Sequence, residues 1–326
     1  MPAGNHPNSN RSDPPHIVIL IPCLNEAQSI AQVVQDFKHE LPEARVLVFD
    51  NGSTDHSAEI AAAAGAEVFS EKRQGKGSVV QTMFQTIEAD LYVMVDGDDT
   101  YPAGRVRALI EPVLQDQADM SIGSRFQQES NSQFRWVNLL GNIFFQGLIN
   151  FIFQTHLTDI LSGYRCLSRR IVKRLPLFER GFEIEAELTV KSLERGYRLI
   201  EVPVDLRPRQ EGSHSKIRIV QDGIKILATI FALFRDYKPL TFFGSVGLAF
   251  ILSGLIPGLV AVAGYLETGL VTHFPSAILS VGMILTGLLC ITIGLVLHTL
   301  DRRFREMEYL IGIYFDHISA KENKRE

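Results

Sequence analysis

Two long apolar stretches in the last third of the chain constrain its fold more than any other feature. The first covers about residues 242–266 and the second about 277–300, and the segment between residues 241 and 300 holds almost no ionisable side chains. At 1.5 Å per helical residue, each stretch can cross a hydrocarbon core of about 30 Å. Helices of soluble proteins alternate polar and apolar faces, whereas these stretches do not, so a transmembrane hairpin is predicted rather than two core helices.

The residues that flank the hairpin predict its orientation. Basic side chains lie just outside both stretches: Arg235, Lys238, Arg302, Arg303 and Arg305. The connecting residues 267–275, ETGLVTHFP, contain no Lys or Arg. By the positive-inside rule, we expect a multi-pass protein of the cytoplasmic (inner) membrane, with both termini and everything before residue 241 in the cytoplasm. Small residues within the stretches favour close helix contact in lipid: Gly254, Gly258, Gly282 and Gly287.

Three further segments are placed by their composition around the hairpin. Residues 139–153, LLGNIFFQGLINFIF, are too short to span a bilayer and fit either an interfacial helix or an ordinary core helix. Residues 216–238 carry basic side chains beside an apolar stripe, which predicts a juxtamembrane amphipathic helix. Residues 301–326 are expected to form a cytoplasmic tail, which is also a candidate segment for homo-oligomer formation.

The composition of the whole chain excludes some classes of function. A chain of 326 residues has room for one large domain or two ordinary ones. The net charge of −5 provides no basic field of the kind that nucleic-acid binding needs. The three cysteines are far apart and show no metal-ligand spacing, so we interpret them as reduced structural thiols. Residues 1–15 are polar and rich in Pro and Asn, which predicts a disordered tail without a signal peptide.

The part before the hairpin alternates short β-rich runs with helical segments. Strands are predicted over residues 17–22, 45–50, 66–69, 91–96, 119–124 and 198–206. Helices are predicted over residues 26–38, 55–64, 77–88, 103–115 and 183–195. This alternation predicts an α/β fold with a mainly parallel sheet that is buried on both faces.

Polar clusters follow four of the predicted strands. They are PCLNE (22–26), DNGSTD (50–55), DGDD (96–99) and GSRF (123–126). Because the carboxyl ends of parallel strands meet at one edge of the sheet, where ligands usually bind, these clusters predict a single site. Asp55 fits either a ligand-binding role or a cap on the helix that follows it.

The DGDD cluster places three carboxylates directly after an apolar strand. Such charges repel one another unless a metal, a basic side chain or water compensates them. In an extended chain Asp96 and Asp98 project to the same side, about 6–7 Å apart, so they could share one Mg²⁺ or Mn²⁺ with the phosphates of a diphosphate. Basic side chains that could assist the diphosphate are Lys76, Arg125 and Arg135. Asp99 fits either a sugar-hydroxyl contact or a turn.

Two common nucleotide-binding motifs do not fit the sequence. A P-loop would need Gly at the position of Ser70 and Ser or Thr at the position of Gly77, beside the GK pair. A dinucleotide-binding Rossmann fold would need a G-x-G-x-x-G after the first strand, and this sequence has none there. Both classes are therefore excluded.

Seven motifs follow one another in order over about residues 16–215: IPCLNE, DNGSTD, GKG, VMVDGDD, GSRF, LSGYR and GFEIEAEL. Together they resemble the family 2 glycosyltransferases of GT-A fold, in particular the polyprenyl-phosphate sugar transferases related to dolichol-phosphate mannose synthase. The hairpin is similar to that of members with two C-terminal spans. The resemblance implies a GT-A domain over residues 16–215, then the juxtamembrane helix 216–238 and the hairpin region 239–300.

The resemblance also implies roles for individual residues. Those that would bind the nucleotide are Pro22, Asn25, Glu26, Asp50, Ser53, Lys76 and Asp96, and Asp50 would face the base. Asp96 and Asp98 would be the metal-binding D-x-D pair, with Asp98 as the direct ligand, while Thr100 stands where some relatives carry a Gln ligand. The catalytic set would be Asp96, Asp98, Arg125 and Arg135, in which the arginines neutralise phosphates. Residues implied near the acceptor or the pocket are Arg125, Arg135, Arg165, Glu183, Ser215 and Lys216.

The activity that the resemblance implies is that of an inverting, membrane-bound hexosyltransferase. It would move a sugar from a nucleotide-diphospho-sugar to a polyprenyl phosphate, undecaprenyl or dolichyl, with Mg²⁺ or Mn²⁺ as cofactor. Asn51, where many relatives have Asp, favours UDP-N-acetylglucosamine or UDP-glucose over GDP-mannose. Two alternatives stay open: a catalytically inactive membrane scaffold, and a processive polysaccharide synthase, although QFRW (133–136) is one residue short of the Q-x-x-R-W element of such enzymes.

Overall fold

The structure of the chain is a computed structural model that describes most of the residues. The described ranges are 14–125, 146–147, 149–207, 228, 231–232, 234–270 and 273–322, with side chains described up to residue 307 apart from 305. Residues up to 230 form one compact unit and residues from 231 onward form a second. The predictions for the first 13 residues, for Arg135, Ser215 and Lys216, and for most of the two interfacial segments lie outside the described residues.

A seven-stranded sheet forms the centre of the first unit. Its strands are β1 (Ile17–Cys23), β2 (Arg45–Asp50), β3 (Glu67–Ser70), β4 (Leu91–Met94), β5 (Met120–Ser124), β6 (Arg165–Ser168) and β7 (Leu199–Pro203). The spatial order is β3-β2-β1-β4-β6-β5-β7. Strand β6 is antiparallel to both of its neighbours, and all the other pairs are parallel. The predicted mainly parallel sheet is confirmed.

Helices connect the strands and cover both faces of the sheet. They are α1 (Ile30–Glu40), α2 (Ser57–Ala63), α3 (Lys76–Thr86), α4 (Val106–Leu114, after a 3₁₀ turn at Ala103–Arg105), α5 (Arg169–Arg174) and α6 (Ile184–Glu194). Each of the five predicted helices is present with shifted ends.

The alternation of side chains along the central strand divides the core into two layers. From β1, Ile19 and Ile21 enter the layer that also contains Phe37 of α1. Val18 and Leu20 enter the opposite layer, with residues of α3, α5 and α6. Successive residues of a strand point to opposite faces, so a strand covered on both sides must be apolar throughout. This explains why β1 reads as an unbroken apolar run.

The sheet differs from the sequence prediction in β4 and β6, and β7 ends at Pro203, three residues before the predicted end. Strand β4 ends at Met94, two residues before the predicted end, so Asp96 belongs to the loop and not to the strand. Strand β6 and the adjoining α5 were not predicted. Strand β6 has only four residues, RCLS, and it exists because it pairs with β4 and β5 across a long sequence distance. These four residues include no β-branched or aromatic side chain that would have indicated a strand.

The second unit consists of two long helices, α7 (Pro239–Thr268) and α8 (Phe274–Glu322). Pro239–Thr268 and Phe274–Phe304 are both long and apolar enough to cross a membrane. Their large side chains are mostly exposed, as with Ile256 and Leu259 at 67% each. A core helix of a soluble protein would bury such side chains. The two predicted apolar spans are therefore present as helices, and α8 continues into the predicted tail.

Glycines allow the two helices to approach each other closely. A Cβ added to Gly287 would lie 2.5 Å from the carbonyl oxygen of Gly247, and one added to Gly254 would lie 2.9 Å from Met283 Cβ. Gly258 faces Ser280 in the same way. The expectation of close contact holds for Gly254, Gly258 and Gly287. It does not hold for Gly282, where an added Cβ would meet no described atom within 4 Å.

This packing predicts that Gly287→Val destabilises the hairpin while Gly282→Val does not. Any side chain at Gly287 overlaps the backbone of α7, and overpacking of this kind costs roughly 1–3 kcal/mol. Thermal unfolding of the purified chain in detergent, followed by helical circular dichroism, should begin at a lower temperature for Gly287→Val alone. Equal unfolding curves for the two variants would contradict the contact.

Candidate functional site

The loops after β1, β2 and β4 meet at one polar edge of the sheet. The backbone N–H of Asn25 donates to Ser53 Oγ at 2.9 Å, and Asn25 Oδ1 accepts from Thr54 N–H at 2.8 Å. The side chain of Glu26 lies beside Gly97, where an added Cβ would be 3.6 Å from Glu26 Cγ. Three of the four predicted polar strand ends therefore lie together.

The fourth strand end joins the same edge through a buried hydroxyl group. Ser162 Oγ donates to the carbonyl of Gly123, at the end of β5, at 2.6 Å. The hydroxyl groups of Ser162 and Tyr101, which follows β4, are 3.3 Å apart. The LSGYR motif, which begins at Leu161, thus connects the end of β5 to the loop after β4.

Pro22 and Asp50 stand at the predicted wall of the nucleotide pocket. Pro22 lies opposite Phe49 in the pairing of β1 with β2. The carboxylate of Asp50 is nearly buried and accepts backbone N–H groups from Gly52 at 3.1 Å and Ser53 at 3.2 Å. These bonds fix the turn after β2. Contact of Asp50 with a base stays a prediction.

Asp55 connects the loop after β1 to the start of α2. Its carboxylate accepts the N–H of Ala27, in the loop after β1, at 3.0 Å. It also accepts the N–H of Ser57, the first residue of α2, at 3.2 Å. The N-cap residue of α2 is His56, so both interpretations of Asp55 stay predictions.

The side chain of Asn51 holds the loop before α3 by hydrogen bonds. Its amide nitrogen donates to the carbonyl oxygens of Glu71 at 2.9 Å and Arg73 at 2.8 Å, and its amide oxygen accepts from Gly75 N–H at 2.8 Å. An Asp at this position would lack both donors. Asn51 therefore positions Lys76 at the start of α3. These hydrogen bonds explain why the residue at position 51 is Asn, without reference to a nucleotide base.

Glu71 strengthens the same loop by a charged contact. Its carboxylate is hydrogen-bonded by the guanidinium of Arg73, at 3.0 Å, and by the hydroxyl group of Thr82. These hydrogen bonds, with Arg73 first, lower the pKa of Glu71 to about 2. The loop therefore carries a permanently ionised acid whose partners fix the start of α3.

The three aspartates of the DGDD cluster have three different partners. Asp96 Oδ1 accepts from Lys76 Nζ at 2.5 Å. Asp98 Oδ1 accepts from the hydroxyl group of Thr100 at 2.6 Å and from its N–H at 3.2 Å. Asp99 Oδ1 lies 3.2 Å from Arg207 Nη1. A basic side chain thus compensates Asp96 and another compensates Asp99, while Thr100 orients Asp98.

Lys76 has a second carboxylate partner that the sequence interpretation did not assign. Its Nζ lies 2.5 Å from Glu185 Oε1, on α6, with the Lys76 side chain 11% exposed and that of Glu185 5% exposed. Burial lowers the pKa of Lys76, but the charges of Asp96 and Glu185 outweigh burial and raise the pKa above its usual range. Lys76 is therefore a permanent buried cation between two acids.

The surroundings of Asp96 and Asp98 are compatible with a divalent cation. Both side chains offer carboxylate oxygens, which Mg²⁺ and Mn²⁺ prefer, and Asp96 is 28% exposed. Among the described residues no group of three or more His, Cys, Asp or Glu side chains could hold a metal ion by itself. Two carboxylates fit a cation whose remaining ligands are phosphate oxygens and water.

Arg125 is held at the site by an acid that the sequence interpretation also missed. Its guanidinium makes a two-pronged contact with Asp159, Nε to Oδ2 at 2.6 Å and Nη2 to Oδ1 at 2.7 Å. Glu201 in turn accepts the N–H of Asp159 at 2.7 Å. The Arg125 side chain is 37% exposed, so it remains accessible to an anion. Asp159 lies just before the LSGYR motif, and this position in the sequence could have indicated that it belongs to the site.

Arg165 requires a correction, because the structure places it in the interior and not where an acceptor could reach it. Its side chain is fully buried. The guanidinium donates to the carbonyl oxygens of Ser162 and Ile160, both at 2.8 Å, and to Thr189 Oγ1 at 2.9 Å. It therefore holds LSGYR against α6. Glu183 is nearly buried just before α6, beside Gly181.

Comparison with known proteins identifies the family of this chain. The glycosyl transferase family 2 model matches residues 18–175. Glycosyltransferase AglJ of Haloferax volcanii is 34% identical over 285 residues, covering 87% of this chain and 93% of that protein. The chain belongs to glycosyl transferase family 2, so it is a transferase.

Two further comparisons bear on subclass and fold. A dolichyl-phosphate hexose transferase of Haloferax volcanii is 28% identical over 193 residues, covering 59% of this chain and 83% of that protein. Glucosyl-3-phosphoglycerate synthase of Mycobacterium tuberculosis, solved with Mn²⁺, UDP and glucosyl-3-phosphoglycerate, superposes with a TM-score of 0.57 at 21% identity, covering 67% of this chain and 80% of that chain. The predicted GT-A fold is confirmed.

The burial of Arg165 predicts that Arg165→Met destabilises the first unit. The change leaves three buried acceptors without this donor, and each such loss costs roughly 1–3 kcal/mol. The free energy of unfolding in urea should therefore fall by at least about 2 kcal/mol. Arg169→Met is the control, because Arg169 pairs with exposed Glu88 and such pairs contribute about 0–1 kcal/mol. An Arg165→Met variant of unchanged stability would contradict the structural role.

Proposed function

We propose that this family 2 glycosyltransferase transfers a hexose from a nucleoside diphosphate sugar to a polyprenyl phosphate at a membrane surface. The observation that carries the proposal is the cluster of Lys76, Asp96 and Asp98 beside the joined loops after β1 and β2. The dolichyl-phosphate hexose transferase among the relatives supports the acceptor class. The two exposed apolar helices support a membrane setting, with the catalytic unit on the cytoplasmic side.

The nucleotide of the donor would bind against the loops after β1 and β2. These loops are held by hydrogen bonds within the protein, among them Asn25 to Ser53 and Asp50 to the turn that follows it. A pocket with walls of this kind loses little conformational entropy when a ligand binds. UDP-N-acetylglucosamine, UDP-glucose and GDP-mannose remain the candidate donors. Asn51 gives no preference among them, because its amide is used inside the fold.

Mg²⁺ or Mn²⁺ would be held by Asp98, with Asp96 as the second carboxylate. When bound, such an ion stabilises the negative charge that develops on the departing nucleoside diphosphate. Thr100 fixes the orientation of the Asp98 carboxylate through its hydroxyl group. Lys76 supplies a permanent positive charge beside the same carboxylates, which reduces the repulsion that a diphosphate would meet there.

The acceptor requires positioning more than activation. A phosphate monoester is already anionic at neutral pH, so its oxygen needs no strong general base to attack the anomeric carbon. Arg125, oriented by Asp159, would bind the acceptor phosphate with its exposed edge. A single displacement of this kind inverts the anomeric configuration and yields a polyprenyl-phosphate sugar. Contributions from Arg135, Ser215 and Lys216 remain part of the proposal.

Two alternative functions are less well supported. A processive polysaccharide synthase needs more spans to enclose a channel than the two that the described residues contain. An inactive membrane scaffold would have no need to keep a buried lysine between two acids or an arginine held by Asp159. The burial of charge is costly, which favours a function for these groups.

The proposal predicts that Asp98→Asn abolishes sugar transfer and leaves the fold intact. The full chain in detergent would be incubated with Mn²⁺, undecaprenyl or dolichyl phosphate and a panel of nucleotide sugars, and the lipid products identified by mass. We expect one donor to give a glycosylated lipid phosphate with the wild type. Asp98→Asn should lower the rate by at least about a hundredfold, with an unchanged circular dichroism spectrum.

The matched control is Glu59→Gln, which alters an exposed acid on α2 whose partner is His56 and not a member of the cluster. It should retain wild-type activity. Absence of product from every donor with a folded wild type, or full activity of Asp98→Asn, would overturn the proposed function.

A further inference from the structure

The buried ammonium group of Lys76 is shared between two carboxylates at equal distance. Its Nζ lies 2.5 Å from Asp96 Oδ1 and 2.5 Å from Glu185 Oε1. Glu185 belongs to a helix whose residues are largely buried, and its side chain is 5% exposed. Asp96 belongs to a loop and is 28% exposed. The lysine therefore has one enclosed partner and one partner that faces the site.

Asp96 has little freedom to ligate a cation while it keeps Lys76. Its Oδ1 accepts from Lys76, and its Oδ2 lies against Gly163, where an added Cβ would be only 2.5 Å from that oxygen. A cation that binds Asp96 directly must compete with the ammonium group for the carboxylate. A lysine with no other partner would make this exchange costly, because it would be left as an unpaired buried charge.

We propose that Glu185 is a positioning residue that retains Lys76 when a divalent cation binds Asp96. In the described arrangement the ammonium group of Lys76 compensates the charge of Asp96. On cation binding, Asp96 turns to the metal and Lys76 stays on Glu185, so no buried charge loses its partner. This inference rests on the proposed function, because it concerns the metal that the donor diphosphate would share.

Other charged groups close to the cluster are consistent with this role. Arg165 is buried and donates to Thr189 Oγ1 at 2.9 Å, and this hydroxyl group donates to the main-chain carbonyl of Glu185 at 3.0 Å. A second positive charge therefore remains close to the turn that carries Glu185 after any movement of Lys76. The main chain at Lys76 is held by Asn51 through the preceding loop and by a hydrogen bond from Gly77 N–H to the carbonyl of Arg180 at 2.9 Å. The exchange therefore requires only side-chain motion.

The test compares Glu185→Gln with Glu187→Gln in the full-length protein. Both acids are buried on α6 and both pair with a lysine, but Glu187 pairs with Lys191, which is not in the cluster. In Glu185→Gln, Asp96 is the only carboxylate left for Lys76 among the residues that the structure describes, so a metal ion competes less well for Asp96. Titration of Mn²⁺ in the presence of UDP, with free Mn²⁺ followed by electron paramagnetic resonance, should show about tenfold weaker binding, within the range of couplings in one network. Glu187→Gln should match the wild type.

Steady-state kinetics separate this role from a structural one. Glu185→Gln should raise the apparent KM for Mn²⁺ about tenfold, while kcat at saturating Mn²⁺ stays within about twofold of the wild type. Equal Mn²⁺ affinity in Glu185→Gln and the wild type, or an equal loss in both variants, would overturn the inference.

A structure of the wild type with Mn²⁺ and UDP tests the inference without any variant, and it applies even if Glu185→Gln fails to fold. We expect Lys76 Nζ to remain within hydrogen-bond distance of Glu185 and to lie farther from Asp96 than an ion pair allows. A complex in which Lys76 still contacts Asp96 would overturn the inference and leave the proposed function standing. A wild type that binds neither Mn²⁺ nor UDP would overturn both.

Discussion

The ion pairs of Lys76 are the interactions on which the rest of the site depends. They join three segments that are distant in the sequence: the start of α3, the loop after β4 and the first turn of α6. A buried ammonium group without a partner is strongly unfavourable, so the packing of these segments requires an acid beside Lys76, and the fold provides two. The ion pair with Lys76 thereby holds Asp96 at the edge of the sheet.

The other charged groups at this edge of the sheet each have a partner of their own, and this arrangement has a functional consequence. Arg207 pairs with Asp99, Thr100 orients Asp98, and Asp159 orients Arg125. Since each of these groups is held by its own partner, Asp98 and the exposed edge of Arg125 can be in place before any ligand arrives. Preorganised charges of this kind stabilise a transition state without reorganisation at the moment of reaction.

Much of this organisation could be predicted from the sequence because it depends on local pattern. The central strands are apolar throughout, the polar motifs follow directly after them, and the two spans lack charge over more than twenty residues. The partners of these motifs are set by tertiary packing and could not be predicted. The side chain of Arg165 suggested an anion site, yet its guanidinium donates a hydrogen bond to the backbone carbonyl of Ser162 in the LSGYR motif. Glu185 was within a recognised motif, but only the packing of α6 against α3 shows its partner, Lys76.

We propose that this edge of the sheet binds a nucleoside diphosphate through a divalent cation. Calorimetric titration of UDP and of GDP into the full-length wild type, with Mn²⁺ and then with EDTA in its place, tests this binding. We expect saturable binding of at least one nucleotide with Mn²⁺ and a loss of at least about tenfold in affinity without it, or about 1.4 kcal/mol. Binding of equal strength in EDTA, or no binding in either condition, would show that the edge is not such a site.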